Sequence, residues 1–354
     1  MSTISHREAS LRSQQISVVG IDLAKRIFHV AGMDNTGRVV LRKRLTRGDL
    51  LSYMAQLAPV VIGMEACGGA HYWARRLRAH GHTVKLIAPQ FVKPYVKSNK
   101  NDPADAEAIC EAVTRPPMRF VPLKEIDQQD LQALHRARER VGKARTALVN
   151  AIRGLLGEYG IGLPPSVTKF RHTFLAPLEA ERAKLTALSQ ELFGHLDEEF
   201  CALEKRLAYY TAQLEAISAA HPVCQRLETI PGIGPLTATA MVAAVSDVTR
   251  FQNGRQFAAW IGLVPRHHAT GGKPRLFGIS KRGDGYLRTL LIHGARATLR
   301  WIGRKTDRRS TWVRGLIDRR GKNKAAVALA NKNARIAWAL LKTDAVYIAE
   351  DAAA

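Results

Sequence analysis

Acidic residues are scarce where basic ones are dense. Residues 250–342 hold 22 Lys and Arg against 3 Asp and Glu. A block so short of anions points to a polyanion partner, most often nucleic acid, and argues against small neutral substrates. Cysteine is scarce too. Cys67, Cys110, Cys201 and Cys224 include no Cys-x-x-Cys pair, which speaks against a zinc site, so reduced, buried thiols are expected. The polar stretch Met1–Gln15 lacks the apolar core of a secretory signal. No run of 18 apolar residues occurs, so no membrane span is expected, and a cytoplasmic place follows. Internal repeats and low-complexity tracts are also missing.

What remains is a chain of 354 residues with 54 Lys and Arg, 30 Asp and Glu, and a formal net charge of +24. Hydrophobic residues make up 46%, enough for real cores and against disorder. The length fits two to three domains. The charge is unevenly spread: +9 over residues 1–120, −1 over 121–249, +19 over 250–342 and −3 over 343–354. Such concentration marks a binding face.

Three organisational zones follow, at 14–122, 123–221 and 222–345. In the first, short β-type runs at 16–21, 27–32, 39–45, 60–64 and 83–87 alternate with helical stretches at 50–57 and 72–80. Asp34-Asn-Thr-Gly37 reads as a hairpin turn. This predicts an α/β domain with a partly parallel sheet. In the second, apolar residues at helical spacing over 131–156 and 175–220 predict two long helices, an antiparallel hairpin or coiled coil. It is either a spacer or a dimerisation arm, since long apolar stripes need a partner. The third zone is mainly helical, with a Gly-rich basic loop over 262–285. Its Trp301, Trp312 and Trp338 read as core residues.

Four carboxylates stand out. Asp22 ends the first strand in Gly20-Ile-Asp22, and Glu65 ends another in Gly63-Met-Glu65. Asp102 and Asp105 lie in Asn101-Asp-Pro-Ala-Asp105, three apart and therefore on one helix face. Each has a structural alternative; Asp102 before Pro103, for instance, is a good helix cap. Together, four converging acids need cations among them, and two Mg²⁺ sharing a phosphodiester would resolve the repulsion.

Pro231-Gly-Ile-Gly234 resembles a helix-hairpin-helix element, with Gly232 and Gly234 allowing the backbone to approach a phosphate, or else a tight helix–helix turn. Within the basic loop, the hydroxyls Thr270 and Ser280 sit among Arg266, Lys273, Arg275, Lys281 and Arg282, with Arg288 following. A hydroxyl beside cations can attack a phosphodiester. Alternatively the loop only clamps a nucleic-acid backbone and Ser280 caps the next helix.

In order, Gly-Ile-Asp-x-Ala-Lys, Glu-Ala-x-Gly, Asn-Asp-x-x-Asp-Ala, Ile-Pro-Gly-Ile-Gly, Gly-Leu-Val-Pro-Arg, Gly-Gly-Lys and Ile-Ser-Lys-Arg-Gly-Asp resemble the DEDD transposases of the IS110 family, most closely its IS1111-like subgroup. The resemblance spans residues 16–342. It implies a RuvC-like, ribonuclease-H-type domain, a helical coiled-coil region and a C-terminal transposase domain. It further implies Mg²⁺ on Asp22, Glu65, Asp102 and Asp105, and a serine nucleophile that forms a covalent link to DNA. The implied partners are donor and target DNA, an element-encoded bridge RNA and further copies of the chain, as a dimer and a tetramer. The implied setting is the bacterial nucleoid. At the serine position this chain has Thr270, which keeps the hydroxyl and adds a methyl; Ser280 is the second candidate. The competing expectation is a RuvC-like nuclease of the Holliday-junction type, in which metal-activated water attacks and no covalent intermediate forms.

Overall fold

A computed structural model describes residues 16–96, 102–164, 170, 179–271 and 273–349. The chain divides into two compact units, 1–126 and 127–354.

In the first unit, β1 (Val18–Asp22), β2 (Ile27–Met33), β3 (Val39–Thr46), β4 (Val61–Glu65), β5 (Thr83–Ile87) and β6 (Phe120–Val121) form one sheet in the order β3-β2-β1-β4-β5-β6. β1, β4 and β5 run parallel, while β2, β3 and β6 pair antiparallel to their neighbours. The β2–β3 turn forms as its sequence predicts. The Asp34 carboxylate accepts from the backbone of Thr36 and Arg38, and Gly37 takes φ +84°. Helices α1 (Asp49–Met54) and α2 (Ala70–Ala79) cover one face, where Val19, Ile21, Phe28, Ile62, Met64, Trp73 and Leu77 form a core. Helix α3 (Asp102–Val113) covers the other face, over Val18, Ala31, Ala106, Ile109 and Cys110.

The second unit starts with α4 (Ile126–Gly157), which packs against α5 (Ala187–Ala220). Arg145 meets Glu204 at 2.7 Å, and Arg138 donates to the Thr211 hydroxyl at 2.8 Å, so the two helices run antiparallel. Their expected long pairing is present, and α5 begins at Ala187, later than residue 175; residues 171–178 lie outside the described ones. Leu131, Leu214 and Ala243 join the pair to a bundle of α6 (Pro222–Glu228), α7 (Pro235–Ala244), α8 (Gly254–Ile261), α9 (Gly285–Leu299), α10 (Arg308–Arg320) and α11 (Lys322–Lys342). Two of the three acids in the 250–342 block are helix caps. Asp284 accepts from the backbone of Tyr286 and Leu287, and Asp307 from that of Ser310.

The basic loop expected over 262–285 is in large part a two-stranded ribbon, β7 (Pro265–Thr270) and β8 (Lys273–Ile279). The pair Gly271-Gly272 between two runs is a hairpin signal present in the sequence. Two thiol expectations need correcting: Cys201 is exposed and Cys67 half-buried, and only Cys110 and Cys224 are buried. Among the described residues no helix is long and apolar enough to cross a membrane.

Candidate functional site

The first unit builds an acidic edge. Ile21 of β1 pairs with Met64 of β4, so the next residues, Asp22 and Glu65, end adjacent parallel strands side by side. Alternation along the strands sends Val19, Ile21, Ile62 and Met64 into the core beneath α1 and α2. Asp22 and Glu65 therefore lie on the opposite face, with Gly20 and Gly63 two residues before them. Those glycines let α3 approach. A Cβ on Gly20 would stand 2.2 Å from the Ala106 carbonyl oxygen and 2.8 Å from the Cys110 nitrogen. A Cβ on Gly63 would stand 2.9 Å from Ile109 Cγ2. The helix thus rests on β1 and β4, with Ala106 and Cys110 over Gly20 and Ile109 over Gly63, and Asp105 lies in its first turn. An ion pair from Arg42 of β3 to Glu107, at 2.6 Å, ties the helix to the sheet one turn further on.

Asp22, Glu65 and Asp105 are half-buried. The Cys67 thiol registers the first two: burial raises its pKa most, and the charges of Glu65 and then Asp22 raise it further. Asp102 opens α3, but its side chain lies outside the described residues. Among the described residues no three His, Cys, Asp or Glu side chains stand at metal-holding distances. The donor chemistry nonetheless suits a hard cation such as Mg²⁺, since all four candidates are carboxylates. Sequence reasoning passed over Gly20, Gly63 and His29. His29 lies directly across from Asp22 in the β1–β2 register. The repeated Gly-x-acid at two strand ends was the available signal.

The ribbon in the second unit separates the two hydroxyls. Thr270 is at its tip, paired with Lys273. Ser280 follows β8 at the base, about 23 Å from Lys273 along the strand. There Ser280 donates its backbone N–H to Val264 at 2.7 Å, and its hydroxyl accepts from the Arg282 backbone at 3.5 Å. Ser280 does not cap the next helix; Asp284 does.

Thr270 and Lys273, and His268 and Arg275, are facing pairs. Alternation adds Arg266 and Phe277 to the same face, and the Arg266 guanidinium lies 5.9 Å from the Phe277 ring centroid. This face carries cations, one hydroxyl, one imidazole and no acid. The Thr270 Oγ1 is 3.3 Å from His268 Nδ1. The side chain of Lys273 lies outside the described residues, as does Gly272. All six residues of β7 are exposed.

Two expected nucleic-acid contacts have structural partners instead. Arg288 donates to the carbonyls of Ile261 at 2.9 Å and Arg282 at 3.1 Å, clamping the ribbon's base. Gly232, at φ +97°, packs on α9: a Cβ on it would meet the Gly294 carbonyl oxygen at 2.9 Å, and one on Gly294 would meet the Gly232 oxygen at 1.8 Å. Arg309 and Asn333 both donate to the Pro231 carbonyl, at 2.7 and 3.1 Å, so Arg309 is buried framework. Gly234 caps α7 with open space beside it. Trp312 and Trp338 border the core as expected, but Trp301 is 55% exposed.

Comparison with known proteins places these features. A family model for DEDD transposases of the IS110 type matches residues 19–161, and a second, described as the transposase IS116/IS110/IS902 family, matches 224–310. A probable family 20 transposase of Pseudomonas aeruginosa is 53% identical over 94% of this chain and 98% of its own length. The chain belongs to the IS110 family of transposases. The transposase of insertion sequence IS1111A from Coxiella burnetii is 46% identical over 98% of the chain and 95% of its own length. That of IS1328 from Yersinia enterocolitica is 42% identical over 94% and 98%. As an IS110-family member the protein is a DNA recombinase. The first match contains Asp22, Glu65, Asp102 and Asp105; the second contains the Pro231–Gly234 turn and the whole ribbon.

Proposed function

We propose that this transposase cuts and rejoins DNA through a covalent protein–DNA link made by Thr270, with an RNA guide and a metal-holding DEDD edge. The observation that carries the reading is the Thr270–His268 pair, a hydroxyl 3.3 Å from an imidazole nitrogen on a cationic ribbon face. The Thr270 oxygen attacks the phosphorus as its proton passes to His268 Nδ1. The departing sugar oxygen keeps the bonding pair and takes a proton from water. In rejoining, a sugar hydroxyl gives its proton back to the solvent and attacks the phosphothreonine, the bond from phosphorus to the Thr270 oxygen breaks, and His268 returns the proton to that oxygen. Arg266 and Arg275 share that face and hold the phosphodiester, with Lys273 opposite Thr270 in the strand register and Lys281 and Arg282 at the ribbon's base. Asp22, Glu65, Asp102 and Asp105 would hold Mg²⁺, two ions per site, which would supply charge neutralisation at the phosphodiester. The strand order around β1 and β4 supports the RuvC-like, ribonuclease-H-type reading of this unit.

Family resemblance supports a bridge RNA as guide, donor and target DNA as substrates, a nucleoid setting, and assembly into dimers and tetramers. Exposed Leu188, Leu192 and Tyr209 on α5 suit the assembly role. The α7 N-terminus at Gly234 remains a candidate phosphate contact. The test is a denaturing gel of protein incubated with terminal-end DNA and Mg²⁺. A covalent adduct lost in Thr270→Ala and kept in Ser280→Ala supports the reading. Cleavage with no adduct in any variant replaces it with attack by water. Sequencing of RNA that copurifies with the protein tests the guide.

A further inference from the structure

A groove of about 1140 Å³ lies between α8, α10 and α11. It exceeds the ~300–1,000 Å³ of a small-molecule pocket. Arg255, Lys324, Lys332 and Arg335 line it, together with the indoles of Trp312 and Trp338, and no Asp or Glu is among the lining residues. Arg255, Lys324 and Arg335 are exposed and form no ion pair among the described residues. Lys332 Nζ sits 4.7 Å from the Trp312 ring centroid. The floor is rigid. The Trp338 indole N–H donates to the Phe251 carbonyl at 3.2 Å, and Gly254 lets α8 press on α11, where an added Cβ would stand 3.0 Å from the Arg335 oxygen. Asn331 donates to the Leu263 carbonyl at 3.2 Å, tying α11 to the segment that leads into the ribbon.

We infer that this groove seats unpaired, single-stranded DNA next to the bond being cut. Cations without acids fit a phosphate backbone, and indoles among them fit unstacked bases, a combination suited to single strands. Pro265 and Ile279, the two ends of the ribbon's base, also line the groove. Thr270 is five residues beyond Pro265, about 17 Å of strand. A strand lying in the groove can therefore continue along the cationic ribbon face. The groove's occupancy by DNA rests on membership of a DNA-acting family, and its place beside the bond being cut rests on the Thr270 reading.

The test uses full-length protein and a short single-stranded DNA, with a duplex and an RNA of the same sequence beside it. Affinity is measured across a salt series, and tryptophan emission is followed on binding. Lys324→Ala/Arg335→Ala should weaken single-stranded DNA binding about tenfold or more at low salt and reduce the salt slope by about 1.4, at 0.7 per contact. Trp312→Phe, which keeps an aromatic ring against the core, should reduce the emission change while melting at a similar temperature. Equal slopes for the wild type and the double variant, with an unchanged Trp312 signal, overturn the groove. A larger loss for RNA than for DNA overturns the choice of DNA, and one confined to duplex overturns the choice of a single strand. Adduct formation lost in Thr270→Ala while the groove variants behave as wild type separates failure here from failure of the nucleophile.

Discussion

The two units place their proposed reactive groups in opposite ways. Asp22 and Glu65 are half-buried at adjacent strand ends, and Asp105 is half-buried in a helix that two glycines bring against those strands. Thr270 stands at the tip of a ribbon whose first strand is wholly exposed. Carboxylates that must converge repel one another, so they need a rigid frame to hold them together. A hydroxyl that must reach a DNA strand needs access, and a two-stranded ribbon anchored by its base supplies it. The anchoring is tight: a Cβ on Gly283 would stand 1.9 Å from the Trp260 carbonyl, and Arg288 fastens two carbonyls there.

The contrast can be broken first at the chemistry. Asp22→Asn or Asp105→Asn should lower strand cleavage by at least ~100-fold while the protein still melts near the wild-type temperature. Retained cleavage would show that the acidic edge is only framework. Next, His268→Ala should slow adduct formation about 100-fold, leave DNA affinity nearly unchanged, and be partly rescued by added imidazole. An unchanged rate in a variant series that still loses the adduct with Thr270→Ala would remove His268 from the reaction.

Smaller effects sharpen the structural side. Gly294→Ala drives a methyl into the Gly232 carbonyl and should cost about 3 kcal/mol or more, read by chemical denaturation. Gly20→Ala should cost a similar amount and also depress cleavage, because α3 carries Asp105. Gly37→Ala meets nothing and should cost only about 1–2 kcal/mol, from its left-handed backbone.

A last prediction concerns pH. His135 of α4 is buried, and burial pushes its pKa down to about 4. Its Nδ1 is 3.0 Å from the Tyr286 hydroxyl and its Nε2 3.0 Å from the Thr239 hydroxyl. Thr239 gives its own hydrogen to the Pro235 carbonyl at 2.6 Å, so it accepts from Nε2–H, and Tyr286 donates to Nδ1. The folded protein therefore holds a neutral imidazole. Unfolding lets it bind a proton below pH 6.5, so the stabilisation is whole above that value and is lost as pH falls toward 4. The loss amounts to about 3 kcal/mol across that window. His135→Gln should flatten the acid limb of the stability curve; an identical limb would show that other groups set it.

Much of the first unit is legible along the chain. Alternating apolar residues mark β1 to β5, and the Asp34–Gly37 turn sets the β2–β3 hairpin, because strand and turn signals are local. The acids were legible as strand-end and helix-start residues for the same reason. The glycines before them were not, because the contact that requires them comes from α3, more than 40 residues away. In the second unit, Gly232 and Gly234 look alike in sequence, yet one packs on Gly294 and the other opens α7. Arg309 looks like any surface arginine of a basic helix, but the Pro231 carbonyl and Asn333 draw it inside.

Composition and motif order by themselves determined a basic, nucleic-acid-directed chain, an α/β unit followed by helices, and a family confirmed by its relatives. Those properties are set residue by residue and survive without knowledge of any contact. Tertiary structure decided which cations face solvent and which are framework, and that Thr270 and Ser280 lie at opposite ends of one ribbon. It also decided that four cations from two helices line one groove with two indoles. Each of these depends on pairing residues distant in sequence, and only packing fixes such pairs.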